Sequence, residues 1–190
     1  MKLENSFEVP AAPEEAWSLL LDVPRVVPCM PGAELTEVVD DSNWKAKMNV
    51  KLGPISLTFA TDVNRRDVDE AARRVVLAAQ GRELRGRGQA RATVESSLAA
   101  TNGGTRVDIV TDLSLSGPAA QYGRGLVADV SSQLVGRFAD CLRAQLAAGA
   151  EPEQAEAAVA DAAKPVSGLR LGLAAVGRSI ARFFRRLFRR

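Results

Sequence analysis

Trp44-Lys45-Ala46-Lys47-Met48-Asn49-Val50-Lys51-Leu52 alternates apolar and polar side chains without a break. Side chains of a β-strand point to opposite faces with a period of two, so this stretch reads as a strand with a dry and a wet face. Trp44, Ala46, Met48, Val50 and Leu52 form the dry face; Lys45, Lys47, Asn49 and Lys51 form the wet one. Gly53-Pro54 supplies a turn, and similar strands follow at Ile55 to Arg65, Arg74 to Gln80, Gln89 to Leu98 and Thr105 to Leu115. Asp67 to Ala72 and Asn102-Gly103-Gly104 separate them with further turn residues. Short turns between consecutive strands predict an antiparallel sheet.

On the amino-terminal side, Leu35 to Val39 reads as one more strand, joined to Trp44 through Asp40-Asp41-Ser42-Asn43. Leu3, Asn5, Phe7 and Val9 alternate with charged or hydroxyl side chains and predict another. Pro13-Glu14-Glu15 then places proline and acids in the first turn of a helix burying Ala16, Trp17, Leu20 and Leu21. A short helical segment around Arg25 to Val27 runs into the rigid loop Pro28-Cys29-Met30-Pro31-Gly32. On the carboxy-terminal side, Gly117-Pro118 is read as the start of a long helix reaching about Ala147. Its apolar face carries Leu126, Val127, Val130, Leu134, Phe138, Cys141 and Leu142. The class is α+β, one sheet and one long helix sharing a core.

The formal charge of +2 conceals three segments. Residues 1–150 hold 17 basic and 19 acidic side chains, residues 151–163 hold 4 acids and no base, and residues 164–190 hold 8 bases and no acid. A nearly neutral body argues against nucleic-acid binding. There is no histidine, which removes Ser/His triads and Cys/His nucleophiles. Cys29 and Cys141 are far apart in sequence with no companion cysteine, so no zinc site is expected and Cys29 reads as a packing thiol. Glu4 interrupts the position where a secretory signal would begin its apolar stretch, which predicts a cytoplasmic protein.

The basic tail is sorted by helical period. At about 100° per residue, Leu169, Leu173, Val176, Ile180, Phe183, Phe184, Leu187 and Phe188 fall in one broad stripe. Arg178, Arg182, Arg185 and Arg189 fall near its opposite, with Arg186 and Arg190 adding charge. Arginines interrupt every window long enough to span a bilayer. A nucleic-acid arm would leave the phenylalanines exposed, whereas a helix packed on the body or in a partner's groove would use them. An unbroken basic face opposite phenylalanine and leucine fits an in-plane helix on an anionic membrane best. Each cation near anionic headgroups is worth on the order of 1 kcal/mol, which predicts salt-sensitive, reversible attachment. The organisation expected is a domain over 1–147, an Ala/Glu-rich linker over 148–165 and a tethered membrane helix over 166–190.

The order of elements, strand, two short helices, further antiparallel strands and a long final helix, resembles the helix-grip arrangement of the START/Bet v1-like superfamily. More narrowly, Phe7-Glu8-Val9-Pro10-Ala11-Ala12-Pro13-Glu14-Glu15-Ala16-Trp17, Asp22-Val23-Pro24 and Cys29-Met30-Pro31-Gly32-Ala33 resemble the carbon monoxide dehydrogenase G-subunit (CoxG) family. Gly53-Pro54-Ile55, Gly117-Pro118-Ala119-Ala120-Gln121-Tyr122-Gly123-Arg124-Gly125, and Asp129-Val130-Ser131 through Phe138-Ala139-Asp140-Cys141-Leu142 extend the likeness to about residue 147. The resemblance implies a bent sheet wrapped around the long helix with an apolar cavity between them. It also implies a protein accompanying a molybdenum carbon monoxide dehydrogenase or related hydroxylase at the membrane.

Together these readings predict a non-enzymatic accessory protein, peripheral on the cytoplasmic face of the cell membrane. It would hold a respiratory quinone, menaquinone in the first instance, as a ligand, with no covalent cofactor, no metal and no catalytic residue. The expected lining is Met48, Val50, Leu57, Phe59, Val76, Leu113 and Leu115 on strands and Leu126, Val130, Leu134 and Phe138 on the helix. Small inward residues, Ala46, Ala90, Ala92 and Ser96, leave room, with Met30 and Pro31 at the rim. Tyr122 is placed to stack on a quinone or to cap the core with its hydroxyl in water. Two alternatives stand: a membrane adaptor recruiting the dehydrogenase without a ligand, and a cyclase or hydrolase on the same scaffold. The latter lacks an inward acid or base, since Glu4, Glu8, Asp62, Asp108 and Asp112 fall on outward positions or in turns, leaving only Asp129 and Asp140 beside the apolar helix face.

Overall fold

The computed structural model describes residues 1–148, apart from Pro54 and Tyr122. The predicted membrane helix, all of the linker beyond Ala148, and Tyr122 therefore lie outside the described residues. The chain runs β1 (Lys2–Val9), α1 (Pro13–Leu21), α2 (Val23–Val26), a 3-10 turn (Val27–Cys29), β2 (Ala33–Asp40), β3 (Asn43–Leu52), β4 (Ile55–Asp69), β5 (Arg74–Glu83), β6 (Gln89–Thr101) and β7 (Gly104–Leu115). A second 3-10 turn (Gly117–Gln121) leads into α3 (Arg124–Ala147). The long helix thus begins later than Gly117-Pro118 predicted. Gly117 is in the left-handed region at φ +73° and Gly123 is extended, so neither continues a right-handed helix.

Local chemistry places the two short helices as expected, although Leu19, rather than Leu20 or Leu21, is the buried leucine of α1. Pro13 occupies the first turn of α1 with Glu14 and Glu15, where the orphan N–H groups favour negative charge. Asp22 ends α1 and starts α2, its carboxylate accepting from the Arg25 N–H at 3.2 Å. The Asp40 carboxylate accepts from Ser42 N–H (2.8 Å) and Asn43 Nδ2 (2.9 Å), closing the β2–β3 hairpin.

All seven strands form one antiparallel sheet in the order β1-β7-β6-β5-β4-β3-β2. The first two strands in the chain are therefore the two edges, and α1 and α2 cross from one to the other. Register fixes the faces. Phe7 pairs with Val107, Val107 with Leu98, Leu113 with Ala92, Ala92 with Ala79, Ala79 with Val63 and Val63 with Trp44, so all of these share the helix side. Val76 pairs instead with Asp67 and Glu95 on the outer face. Its expected place in the lining is corrected: Val75 and Leu77 point inward, and the adjacent apolar triplet offers no alternation by which to choose.

The helix position shows how far the sheet bends. Arg124 Nη2 donates to Lys2 O (3.1 Å), Asn5 Nδ2 to Ser131 Oγ (3.2 Å) and Arg143 Nε to Glu8 O (2.7 Å), so α3 lies along the whole of β1. Yet α3 also comes within 8 Å of β3, five strands away in the sheet. At about 4.8 Å per strand a flat sheet would separate β1 and β3 by roughly 24 Å. Only a sheet curled around the helix meets both.

Cys29 and Cys141 are joined in a disulfide, their Cα atoms 5.4 Å apart although 112 residues separate them in sequence. The reading of Cys29 as a packing thiol is corrected accordingly. The bond staples the 3-10 turn before β2 to the last turns of α3, and both cysteines are buried. Such bonds are rare in reducing compartments, which stands in tension with the cytoplasmic expectation.

Candidate functional site

The interior between sheet and helix is packed in two unequal clusters. The larger surrounds the disulfide and gathers Phe7, Val9, Trp17, Leu19, Leu98, Val107, Phe138 and Leu142 among its buried members. Phe7 and Phe138 meet edge to face with ring centroids 6.1 Å apart. The smaller lies at the end of the two hairpins β3–β4 and β5–β6. Its buried members are Leu52, Leu57, Phe59 and Ala119, against which Met48, Val50, Ile55, Ala90, Leu115 and Val130 pack while remaining only partly buried.

Between the clusters the inner face is small and incompletely covered. Ala46, Thr61, Val63, Ala79, Ala92 and Leu113 lie on the helix side by register, and each keeps partial exposure, as does Leu134 on α3. The arrangement offers an apolar face on which a long hydrocarbon gains about 25 cal/mol per Å² removed from water.

The expected lining is thus brought together in part. Met48, Val50, Leu57, Phe59, Leu115 and Val130 meet in the hairpin-end cluster, and Leu113 and Leu134 adjoin it. Leu126 is partly buried near the start of α3. Phe138 belongs to the disulfide-end core, as does Met30, while Pro31 is buried, so these do not form a rim at the hairpin end. Tyr122 is outside the described residues. The sequence reading missed Ile55 and Ala119, which pack on the cluster from the start of β4 and from the 3-10 turn before α3.

Polar groups on the inner face are few. Arg65 lies over Trp44, 5.0 Å from the ring centroid, and donates from Nη2 to Leu21 O at 2.7 Å. Its buried Nε has no hydrogen-bond partner among the described residues. Glu83, buried at the base of the β5–β6 hairpin, accepts from Arg87 Nη2 (3.1 Å) and from the Arg85 and Arg87 N–H groups (2.8 and 3.1 Å). The Arg87 side-chain bond, aided by those N–H groups and opposed by burial, holds the carboxyl down to about 2. Asp129 and Asp140 are exposed, Asp140 paired with Arg143 at 2.8 Å. A separate groove of about 370 Å³ crosses β3–β5, bordered by Lys45, Asp62, Asn64, Arg66 and Gln80. Val39, Trp44, Val63 and Ala78 line the same groove among these polar groups.

A curled seven-stranded sheet gripping one long helix is the START/Bet v1-like fold. The chain belongs to the carbon monoxide dehydrogenase G-subunit (CoxG) family, whose description matches residues 6–147. Among solved structures it is similar to a conserved protein from Geobacillus kaustophilus, with 18% identity and a TM-score of 0.65 over 85% of this chain and 96% of that one. TTHA0849 from Thermus thermophilus is 17% identical, with a TM-score of 0.53 over 86% and 100% of the two chains. Ara h 8.0201 is 15% identical, with a TM-score of 0.50 over 85% and 98%. At these identities the likeness is one of fold. No curated protein matches the chain in sequence.

Proposed function

We propose that this chain is an accessory protein of a molybdenum carbon monoxide dehydrogenase that holds an isoprenoid quinone, menaquinone in the first instance, and links the enzyme to the membrane quinone pool. The family description supports the partner. The observation that carries the ligand is the incompletely covered apolar face between the two clusters, bounded by Met48, Leu113, Val130 and Leu134. An isoprenoid tail lies against that face, and Arg65, the one cation on the inner side of β4, offers donor chemistry suited to a quinone carbonyl.

The basic amphipathic sequence of residues 166–190 supplies the membrane attachment in this reading. No helix among the described residues is long and apolar enough to cross a bilayer. A water-soluble oxidase and a lipid-confined acceptor need an intermediary that shields the isoprenoid from water, and the protein moves the acceptor without carrying electrons itself. The test is organic extraction and mass spectrometry of gently purified full-length protein beside Val130→Trp, which fills the hairpin-end space. A stoichiometric quinone lost in the variant is the expected result. Empty extracts from both, with vesicle binding intact, would replace the carrier by an adaptor without a ligand.

A further inference from the structure

The two ends of the domain differ in charge as well as packing. At the hairpin end Leu84 is 58% exposed, the most exposed of the large apolar side chains among the described residues. It is flanked by Arg82 and Arg85, both exposed, with Lys47 and Lys51 exposed on β3, beyond the intervening β4. None of these four cations pairs with a carboxylate among the described residues. Glu83 is engaged with Arg87, while the exposed Glu34 lies opposite Lys47 in the β2–β3 register. The opposite end presents Asp40 and Asp41 in one turn and Asp69 and Glu70 in another.

The hairpin holding Leu84 is braced. Besides the bonds to Glu83, Gly88 (φ +136°) and Gly117 (φ +73°) press backbone on backbone, since a Cβ on Gly88 would lie 2.3 Å from Ser116 O and one on Gly117 2.1 Å from Arg87 O. The hairpin is thereby fixed to the turn preceding α3. A braced leucine among unpaired cations, beside the less filled end of the interior, has the chemistry of an anionic lipid surface.

We propose that this hairpin pole is a second membrane-contacting surface, which sets the less filled end of the interior against an anionic bilayer. The inference rests on the membrane reading of the tail given above. Chain length permits both contacts. α3, 24 residues long, spans about 36 Å and ends at the opposite pole, while residues 149–165, fully extended, reach at most about 56–61 Å. The tail helix and the hairpin can therefore meet one bilayer, and the acidic turns then face away from it.

The test uses full-length protein and vesicles containing phosphatidylglycerol, with and without brominated phosphatidylcholine. Leu84→Trp is read against the wild type, whose Trp17 and Trp44 are both buried, and co-sedimentation is measured in parallel. A blue shift and bromine quenching of the introduced tryptophan are expected, together with at least about a tenfold loss of vesicle affinity in Arg82→Glu/Arg85→Glu. Protein that sediments with vesicles while the introduced indole stays in water overturns the hairpin contact alone, leaving the pole to an acidic protein surface. Protein that does not sediment at all overturns the membrane reading together with this inference.

Discussion

The disulfide end and the hairpin end of the interior are built from the same sheet and helix, yet they bury their side chains unequally. At the disulfide end, α1, α2 and the 3-10 turn cover the sheet, and Trp17, Phe7, Phe138 and Leu142 pack to near-complete burial around the Cys29–Cys141 bond. At the hairpin end the cover is one short turn through Ala119 and the first half of α3, and Met48, Val50, Leu115 and Val130 stay partly exposed. Most of the fully buried side chains gather at the first end, and most of the second end's cluster stays partly exposed. The carrier proposed above would need both, because a side chain that completes a core also fills the volume a ligand would occupy.

The largest expected effect contrasts core truncations at the two ends. Phe138→Ala should cost about 3–5 kcal/mol, whereas Leu115→Ala should fall near or below about 2 kcal/mol because its surroundings are already incompletely packed. Urea unfolding of the two variants compares them directly, and equal losses would mean equally packed ends. Replacing Cys141 by Ser should remove about 2–4 kcal/mol, seen as a fall in Tm of roughly 4–16 °C for a domain of this size. If the wild type shows no change on reduction, the staple does not hold the closed end.

Filling the open end should do much less. Overpacking a finished core costs about 1–3 kcal/mol, so Val130→Trp should stay within about 1 kcal/mol of the wild type if the space is real. A heavier loss in thermal melts would show that the hairpin end is already full. The remaining effect is electrostatic and local. The carboxyl of Glu83 is depressed to about 2 from an ordinary 4.5, so its contribution is complete above the unfolded value and fades as pH falls through that window. The Tm gap between wild type and Glu83→Gln should therefore be widest near neutral pH and shrink in acid, and a gap that grows in acid would reverse the assignment.

How much of this is legible in the sequence depends on where the pattern is clean. The unbroken alternation of Trp44 to Leu52 defines both faces of β3, and through register the lining contributed by Met48 and Val50. Arg74 to Gln80 carries Val75, Val76 and Leu77 in succession, and β4 opposite it shifts register between Arg65 and Asp67. One residue of slip exchanges the faces, so the apolar run by itself does not show that Val76 points outward.

The sequence by itself determined the strand and helix order, the family likeness and the sorted basic tail, because each is written in local periodicity, local turn chemistry or short motifs. Tertiary structure alone decided the Cys29–Cys141 bond, the division of the interior into two unequally buried clusters, and the placing of Leu84 and Lys51 at one pole. These depend on how far the sheet curls and which loops share an end, and curl is a sum over seven strands that no local window of sequence contains.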